Sequence, residues 1–599
     1  MRGDIFIMKK LISRRSFLQG TGIAAAAAAL TACGGGGKKP ANNGGGEATD
    51  YSAVLAEFDA PAAALEDWAG KFDALIDQVK VETDFVKREA LMHQAEDILM
   101  GTWCIMPIYF YTNMYLQKEY VSNIYNNVFG MKRFYYAKNA NNNNASLNLN
   151  LASEPDTLDP ARSTTVDGGC LACNMFLGLM NCDADGSIIP GCAADMPKIS
   201  EDSLTYTFKL RDGLKWSDGE KLDANDFVYS WNRVVNPDNN CDYSYLFDVI
   251  AKNDDGTLKA VASADGLTLT VTLVAPCPYF LDLCAFPTFF PVPQKHVEAG
   301  NPDGTKPSGW TEEAGFVTNG AYTCTNWKHN ESMTLKANPN FAFAADVTMP
   351  ELNFMLNDQV TTIYSAYTSG NLDFSSAVPT DEIENLKQGK DLHIDPYLGT
   401  YYVGCNSKSE IFNSGRSLQQ ACALRKALCL SINRDFIIDT VAQGGQKPAN
   451  CFVSDGAKDG HGGMFRENDA NYTYPVKEAL GYFDPDPANN VEEVSTLLGA
   501  AGLVLNEDGT VSDETPFTFE YLTNPGANVA IAEAMQQDFM ELGVNMKIDT
   551  QEWKVFLNTR KMGNYDMARN GWVMDFNDPI NELEMWQTKS GNNDCQFGR

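Results

Sequence analysis

At 599 residues the chain is too long for a single hydrophobic core, so two or three domains are expected. A formal net charge of −32, from 78 acidic and 46 basic residues, argues against nucleic acid or an anionic surface as the main partner. A hydrophobic content of 44% and a mean hydropathy of −0.28 describe an ordinary soluble globular composition.

In chain order, Lys9 and Lys10 come first, then Ser13-Arg14-Arg15-Ser16-Phe17-Leu18 and an apolar run from Gly22 to Leu30 that is too short to span a bilayer. The paired arginines before Phe17-Leu18 resemble a twin-arginine export signal, with an ordinary charged secretion signal as the alternative. Leu30-Thr31-Ala32-Cys33 resembles a lipoprotein processing site that makes Cys33 the lipidated first residue, and Met8 is an alternative start. Residues 1–33 are thus read as an export signal and 34–70 as a tether, because Gly34 to Gly46 cannot bury a core. This locates the folded part outside the cytoplasm, near a membrane. Fourteen of the fifteen cysteines remain after lipidation, and some are expected to form disulfides in that compartment. Cys170-Leu171-Ala172-Cys173 is a lone C-x-x-C in a chain with five histidines, so neither metal nor cofactor is expected.

Further along, Leu91, Ala95, Ile98 and Leu99 have helical spacing, and Asn139 to Asn144 form a polar stretch that reads as a linker over 138–146. Leu147, Leu149 and Leu151 alternate as in a half-buried strand, as do Leu204, Tyr206, Phe208 and Leu210, then Leu267, Leu269, Val271 and Leu273; Gly213, Gly219 and Gly266 mark turns. Ala421, Leu424, Leu428 and Ile432 form another amphipathic helix. Phe517, Phe519 and Tyr521, then Ile531, Met535, Phe539 and Leu542, then Val544, Met546 and Ile548 predict a β-α-β unit closed by Gly543. No membrane-spanning helix is read after the signal.

Six stretches in order carry a family resemblance. They are Leu149 to Pro160; Thr205-Tyr206-Thr207-Phe208 with Leu210 to Gly219; Asp226 to Trp231; Thr318 to Tyr322; Leu424 to Leu428 with Ile432-Asn433-Arg434; and Ala568-Arg569-Asn570-Gly571-Trp572 with Asp575. Together they resemble extracytoplasmic solute-binding proteins of family 5, the oligopeptide- and dipeptide-binding proteins of ABC importers. The resemblance implies an α/β, two-lobed periplasmic-binding-protein-like fold (class II) with an extra domain inserted in the first lobe.

The family's C-terminal stretch is out of place. Phe72 to Ile76, Ala95 to Leu99, Pro107 to Tyr111 and Thr112-Asn113 look like that stretch set before the N-terminal one, an order resembling circular permutation; joining of two gene copies is the alternative. The expected domains are therefore 71–106 as a displaced part of the second lobe, 107–182 as first lobe, 183–314 as the extra domain, 315–403 as first lobe and hinge, and 404–599 as second lobe. Hinges are expected near Pro396 to Cys405 and Gly571 to Asp575.

By resemblance, Asp575 pairs with a peptide α-ammonium, although alone it would read as an exposed loop carboxylate beside Asn577 and Asp578. Gly571 and Val573 offer main-chain groups to a peptide backbone, and Trp572 and Trp553 offer pocket walls, with core packing the alternative for Trp553. Arg560 and Arg569 stand where relatives place arginines that meet a peptide carboxylate, unless Arg569 pairs with Asp566. Asn592, Tyr109 and Tyr111 resemble cleft-lining positions, and Val166 and Gly168 belong to a loop resembling the one that covers the peptide backbone.

No G-x-S-x-G, H-E-x-x-H, Walker A or G-x-G-x-x-G context is found, so the chain is expected not to be an enzyme. The function implied is a lipid-anchored, monomeric peptide receptor that delivers its ligand to permease subunits. The alternatives are a binder of nickel, haem, oligosaccharide or a signalling peptide, and a non-binding product of a rearranged gene.

Overall fold

The computed structural model describes residues 49–599 apart from 152, 184–186 and 469. Its main sheet comprises β1 (Ile105–Gln117), β2 (Leu147–Asn150), β3 (Tyr322–Lys328), β4 (Ser332–Ala337), β5 (Glu351–Met355), β6 (Phe374–Ser375), β7 (Leu392–Cys405), β8 (Lys447–Pro448), β9 (Phe517–Thr523), β10 (Val544–Thr550) and β11 (Met567–Val573). The order is β3-β4-β5-β2-β6-β1-β7-β11-β9-β10, with β8 on β1. Helices that bear on the site are α1 (Phe85–Gly101), α2 (Val166–Met175), α3 (Ala224–Val235), α4 (Leu418–Ser431), α5 (Ala527–Glu541), α6 (Trp553–Lys561) and α7 (Ile580–Leu583).

The long antiparallel pair β1 and β7 runs through both lobes, from Ile105 opposite Gly404 to Leu116 opposite Leu392. β11 pairs with the Gly399–Cys405 half of β7, whereas β6 pairs with Leu116 and Gln117 at the far end of β1. The pairing slips between Pro107 and Tyr109 and again between Phe110 and Thr112, opposite the segment expected to hold a hinge. Such irregularities bend and twist a strand, which suits a crossing between two bodies.

Local chemistry explains the elements. β9, α5 and β10 form the predicted β-α-β unit: β9 and β10 are parallel, Phe517, Phe519 and Tyr521 face the core with Ile531, Met535 and Phe539, and Gly543 turns the chain at φ +75°. α4 begins at a capping box of Ser417 and Gln420, and Asp84 caps α1 by accepting from Val86 N and Lys87 N. Between the first-lobe segments, Ala260–Ala262, Thr268–Thr272, Thr205–Lys209 and Lys198–Ile199 build a separate antiparallel sheet. Here α3 buries Phe227 and Trp231, and Tyr206, Phe208, Leu269 and Val271 point into the same core.

Three expectations are corrected. The tether does not reach residue 70: the chain is helical over Ser52–Ala56 and Asp59–Glu66, and Phe58 and Trp68 are buried. Trp68 stacks between Phe72 and Phe597 at 4.6 and 4.2 Å and donates its indole N–H to Trp586 O. Large aromatics inside a Gly- and Ala-rich stretch outweigh its loop-like composition. Secondly, the asparagine run at 138–146 is a tight turn rather than a slack linker. Lys138–Asn139 pairs with Val121–Ser122, Asn139 and Asn142 side chains donate to Ser146 O, and Asn143 and Asn144 adopt positive φ, which asparagine tolerates. Thirdly, the fourteen cysteines from Cys104 to Cys595 are all thiols, thirteen of them buried. The signal, Cys33 and Gly34 to Gly46 lie outside the described residues. Among those described, no helix is long and apolar enough to cross a membrane.

Candidate ligand-binding site

A cavity of about 340 Å³ lies between the lobes, within the ~300–1,000 Å³ typical of ligand sites. Residues 163–167, which lead into and begin α2, form one wall, β11 and α6 another, and Tyr243, Phe286 and Pro287 of the extra domain close the side. The lobes touch around it: Tyr279 stacks on Phe576 at 4.4 Å, Tyr245 accepts from the Asn592 side chain at 3.3 Å, and Lys561 forms an ion pair with Asp242.

Asp575 faces this cavity just beyond β11. Its Oδ2 accepts from Asn581 Nδ2 at 3.0 Å and its Oδ1 from Tyr243 Oη at 3.3 Å. The same Asn581 accepts from Trp572 Nε1 and Asp575 N through its Oδ1, so one buried amide at the head of α7 fixes both the tryptophan and the acid. No lysine, arginine or histidine lies within ion-pair distance of Asp575 among the described residues. Burial pushes its carboxyl up to about 7, against the lowering effect of the Asn581 and Tyr243 hydrogen bonds.

Arg569 is its counterpart. The guanidinium lies over the rings of Tyr401 and Trp553, 5.4 and 5.7 Å from their centroids, and its Nε is buried without a hydrogen-bond partner. It does not pair with Asp566, whose oxygens accept from Ser409 Oγ and Glu520 N. Arg560 is already neutralised by Asp594 at 2.6 Å.

β11 pairs with β7 along its full length, but its other edge meets β9 only through Met567 and Ala568. From Arg569 onward that edge borders the cavity, which leaves main-chain groups of Gly571 to Val573 for an extended ligand. Gly571 is required by close approach: an added Cβ would lie 2.2 Å from Tyr111 Oη. Gly571→Ala is expected to push the Tyr111 ring into the cavity, lowering stability by about 1–3 kcal/mol as overpacking does, with a loss of ligand affinity. Tyr111→Phe should relieve part of both effects; an unchanged thermal midpoint and affinity for Gly571→Ala would refute this reading.

The cavity is lined by Asp575, Trp572, Gly571, Val573, Trp553, Arg560, Arg569, Asn592, Tyr111 and Val166, ten of the twelve residues singled out from sequence. Tyr109 and Gly168 are corrected. The Tyr109 ring packs on Tyr401 at 4.8 Å and edge-on against Tyr111 at 5.6 Å, one layer behind the Tyr111 ring that lines the cavity. Gly168 N donates to Thr165 Oγ1 in the cap of α2, and a Cβ there would meet Ser163 Oγ at 2.1 Å, so its work is local. Tyr243 and Asn581 carry no sequence signal. They are an ordinary tyrosine and asparagine until the fold brings them to Asp575.

Fold and site together define a two-lobed α/β protein of the binding-protein type, with a cavity between its lobes. The family model for "Bacterial extracellular solute-binding proteins, family 5 Middle" matches residues 187–594, and the model for a twin-arginine translocation pathway signal sequence matches residues 11–31. The chain belongs to the bacterial extracellular solute-binding proteins of family 5, and its signal directs it out of the cytoplasm. It is 32% identical over 466 residues to the oligopeptide-binding protein OppA of Bacillus subtilis, covering 75% of this chain and 78% of that protein. It is 30% identical to the periplasmic murein peptide-binding protein MppA of Escherichia coli, covering 74% and 78%. Among solved structures, Haemophilus influenzae OppA in complex with RPPGFSPFR is similar, with a TM-score of 0.65, 27% identity, and coverage of 76% of this chain and 84% of that one.

Proposed function

We propose that this protein captures short peptides between its lobes and hands them to the permease subunits of an ABC importer, anchored to the membrane as a monomer by a lipid on Cys33. The observation that carries the reading is Asp575, a half-buried carboxylate on the cavity wall with no cation within ion-pair distance among the described residues, next to a strand edge open to the cavity. An α-ammonium supplies the missing charge, the strand edge meets the peptide backbone, and Arg569 meets a carboxylate. Relatives whose names specify peptides support the same class of ligand. Lipidation rests on Cys33 following Leu30-Thr31-Ala32.

The chain order is read as a permuted form of the family's, with residues 71–106 completing the second lobe. In support, α1 packs on α7, Trp68 bonds to Trp586, and β1 lies at the centre of the main sheet.

Calorimetry with peptides of two to five residues and their N-acetylated forms tests the function. The free amine is expected to bind at least about tenfold more tightly, since acetylation removes the charge that Asp575 lacks. Equal affinities would refute the assignment.

A further inference from the structure

Six ionisable side chains line the cavity: Asp167, Arg560, Lys561, Arg569, Asp575 and Asp594. Two pairs cancel, Arg560 with Asp594 and Lys561 with Asp242 at the rim. Arg569 and Asp575 remain for the two ends of a zwitterionic peptide, and this leaves Asp167. That carboxylate stands in the first turn of α2, on the first-lobe wall, with no lysine or arginine within ion-pair distance among the described residues. The groups that stabilise its charge are Thr165 and main-chain N–H donors at the helix start, and burial outweighs them to raise its pKa.

Its surroundings are suited to a cation on an apolar stem. Tyr397 lines the same cavity as Asp167, and its ring lies 5.7 Å from that of Tyr111. Met131 reaches the start of α2, where a Cβ on Gly169 would lie 2.9 Å from its Cε, and Phe129 also lines the cavity. Nearby, Asp156 keeps Oδ1 buried without a hydrogen-bond partner and adds a second negative charge coupled to Asp167. Aromatic faces and a carboxylate together hold a protonated amine or guanidinium, while Met and Phe accept its methylenes.

We propose that Asp167 is a specificity residue, and that the cavity prefers peptides bearing one lysine or arginine side chain, seated against Asp167 and the Tyr397 ring. The proposal rests on the peptide reading above. A ligand with two positive groups and one negative group then satisfies every unpaired charge in the cavity, whereas a ligand with neutral side chains leaves Asp167 uncompensated.

Affinities are measured for Ala-Ala-Ala and for tripeptides carrying lysine, arginine, glutamate or norleucine at each position in turn. At one position lysine or arginine is expected to bind about tenfold or more tightly than norleucine, which has a similar stem without the charge, and glutamate more weakly than alanine. Asp167→Asn should abolish the gain, read within the variant as equal affinities for the lysine, arginine and norleucine peptides at that position. The norleucine comparison uses the unaltered chain, so it stands whatever the variant does to folding. If tripeptides bind but no position favours a basic side chain over norleucine, the inference fails and the peptide reading survives. If no peptide binds at all, the peptide reading falls and takes this inference with it.

Discussion

Asp575→Ala is expected to weaken binding of a tripeptide with a free amine by a hundredfold to a few thousandfold, because the ligand's ammonium is then buried without its partner at a cost of about 3–5 kcal/mol. The N-acetylated peptide should bind wild type and variant alike. The pH profile provides a second readout. Burial raises the Asp575 carboxyl from its ordinary 3.8 to about 7, so below pH 7 an incoming ammonium must displace a proton. Affinity should therefore rise with pH up to about 7, by as much as tenfold per unit, and fall again above about 8 as the peptide α-amine loses its own proton. Asp575→Asn should flatten the acid limb.

The same shift has a stability consequence of opposite sense. A carboxyl with a raised folded-state pKa imposes no cost below its unfolded value, and its penalty grows as pH climbs from 3.8 to about 7. Asp575→Asn should thus raise the thermal midpoint of the ligand-free protein at pH 8 and leave it nearly unchanged near pH 4. Glu582 and Glu584 are also raised by burial, to about 8 and about 7, so the difference between variant and parent, rather than the parent's own profile, reports Asp575. A peptide affinity that ignored both pH and the Asp575 substitutions would remove the basis of the functional assignment.

The second large effect concerns the N-terminal helices. Arg88 of α1 makes two 2.8 Å hydrogen bonds to Asp578, and both side chains are buried. Arg88→Ala leaves Asp578 without its cation, and the expected loss of stability is about 3–5 kcal/mol, read from the urea midpoint. Replacing both partners, Arg88→Met with Asp578→Leu, should recover much of it, because neither charge is then stranded. Asp578 accepts from Ile580 N at the start of α7, whose Asn581 holds Trp572 and Asp575, so the single variant should also weaken peptide binding. Were residues 71–106 an unattached fragment of a second gene copy, Arg88→Ala would change neither quantity.

Periodicity alone located the β-α-β unit of β9, α5 and β10, and α4, because long runs with one buried face bear a repeat that few other structures satisfy. The motifs around Trp572 also marked β11 as the site strand, since its neighbours lie close in sequence. The helices Ser52–Ala56 and Asp59–Glu66 carry no such signal, as Phe58 and Trp68 become core residues only through tertiary packing, Trp68 between Phe72 and Phe597 and bonded to Trp586. Tyr109 likewise sits behind the lining because its ring stacks on Tyr401 and meets Tyr111 edge-on, contacts that composition does not record.

By itself the sequence determined export, the family, the α/β class and ten of the residues that line the cavity, because these depend on local pattern and short motifs. Only the tertiary structure decided which charges cancel. Arg560 is consumed by Asp594 and Lys561 by Asp242, while Asp575, Asp167 and Arg569 face the cavity without an ion pair. Net pairing inside a buried cleft depends on distances between residues up to several hundred positions apart, such as Lys561 and Asp242, and linear spacing holds no record of those distances.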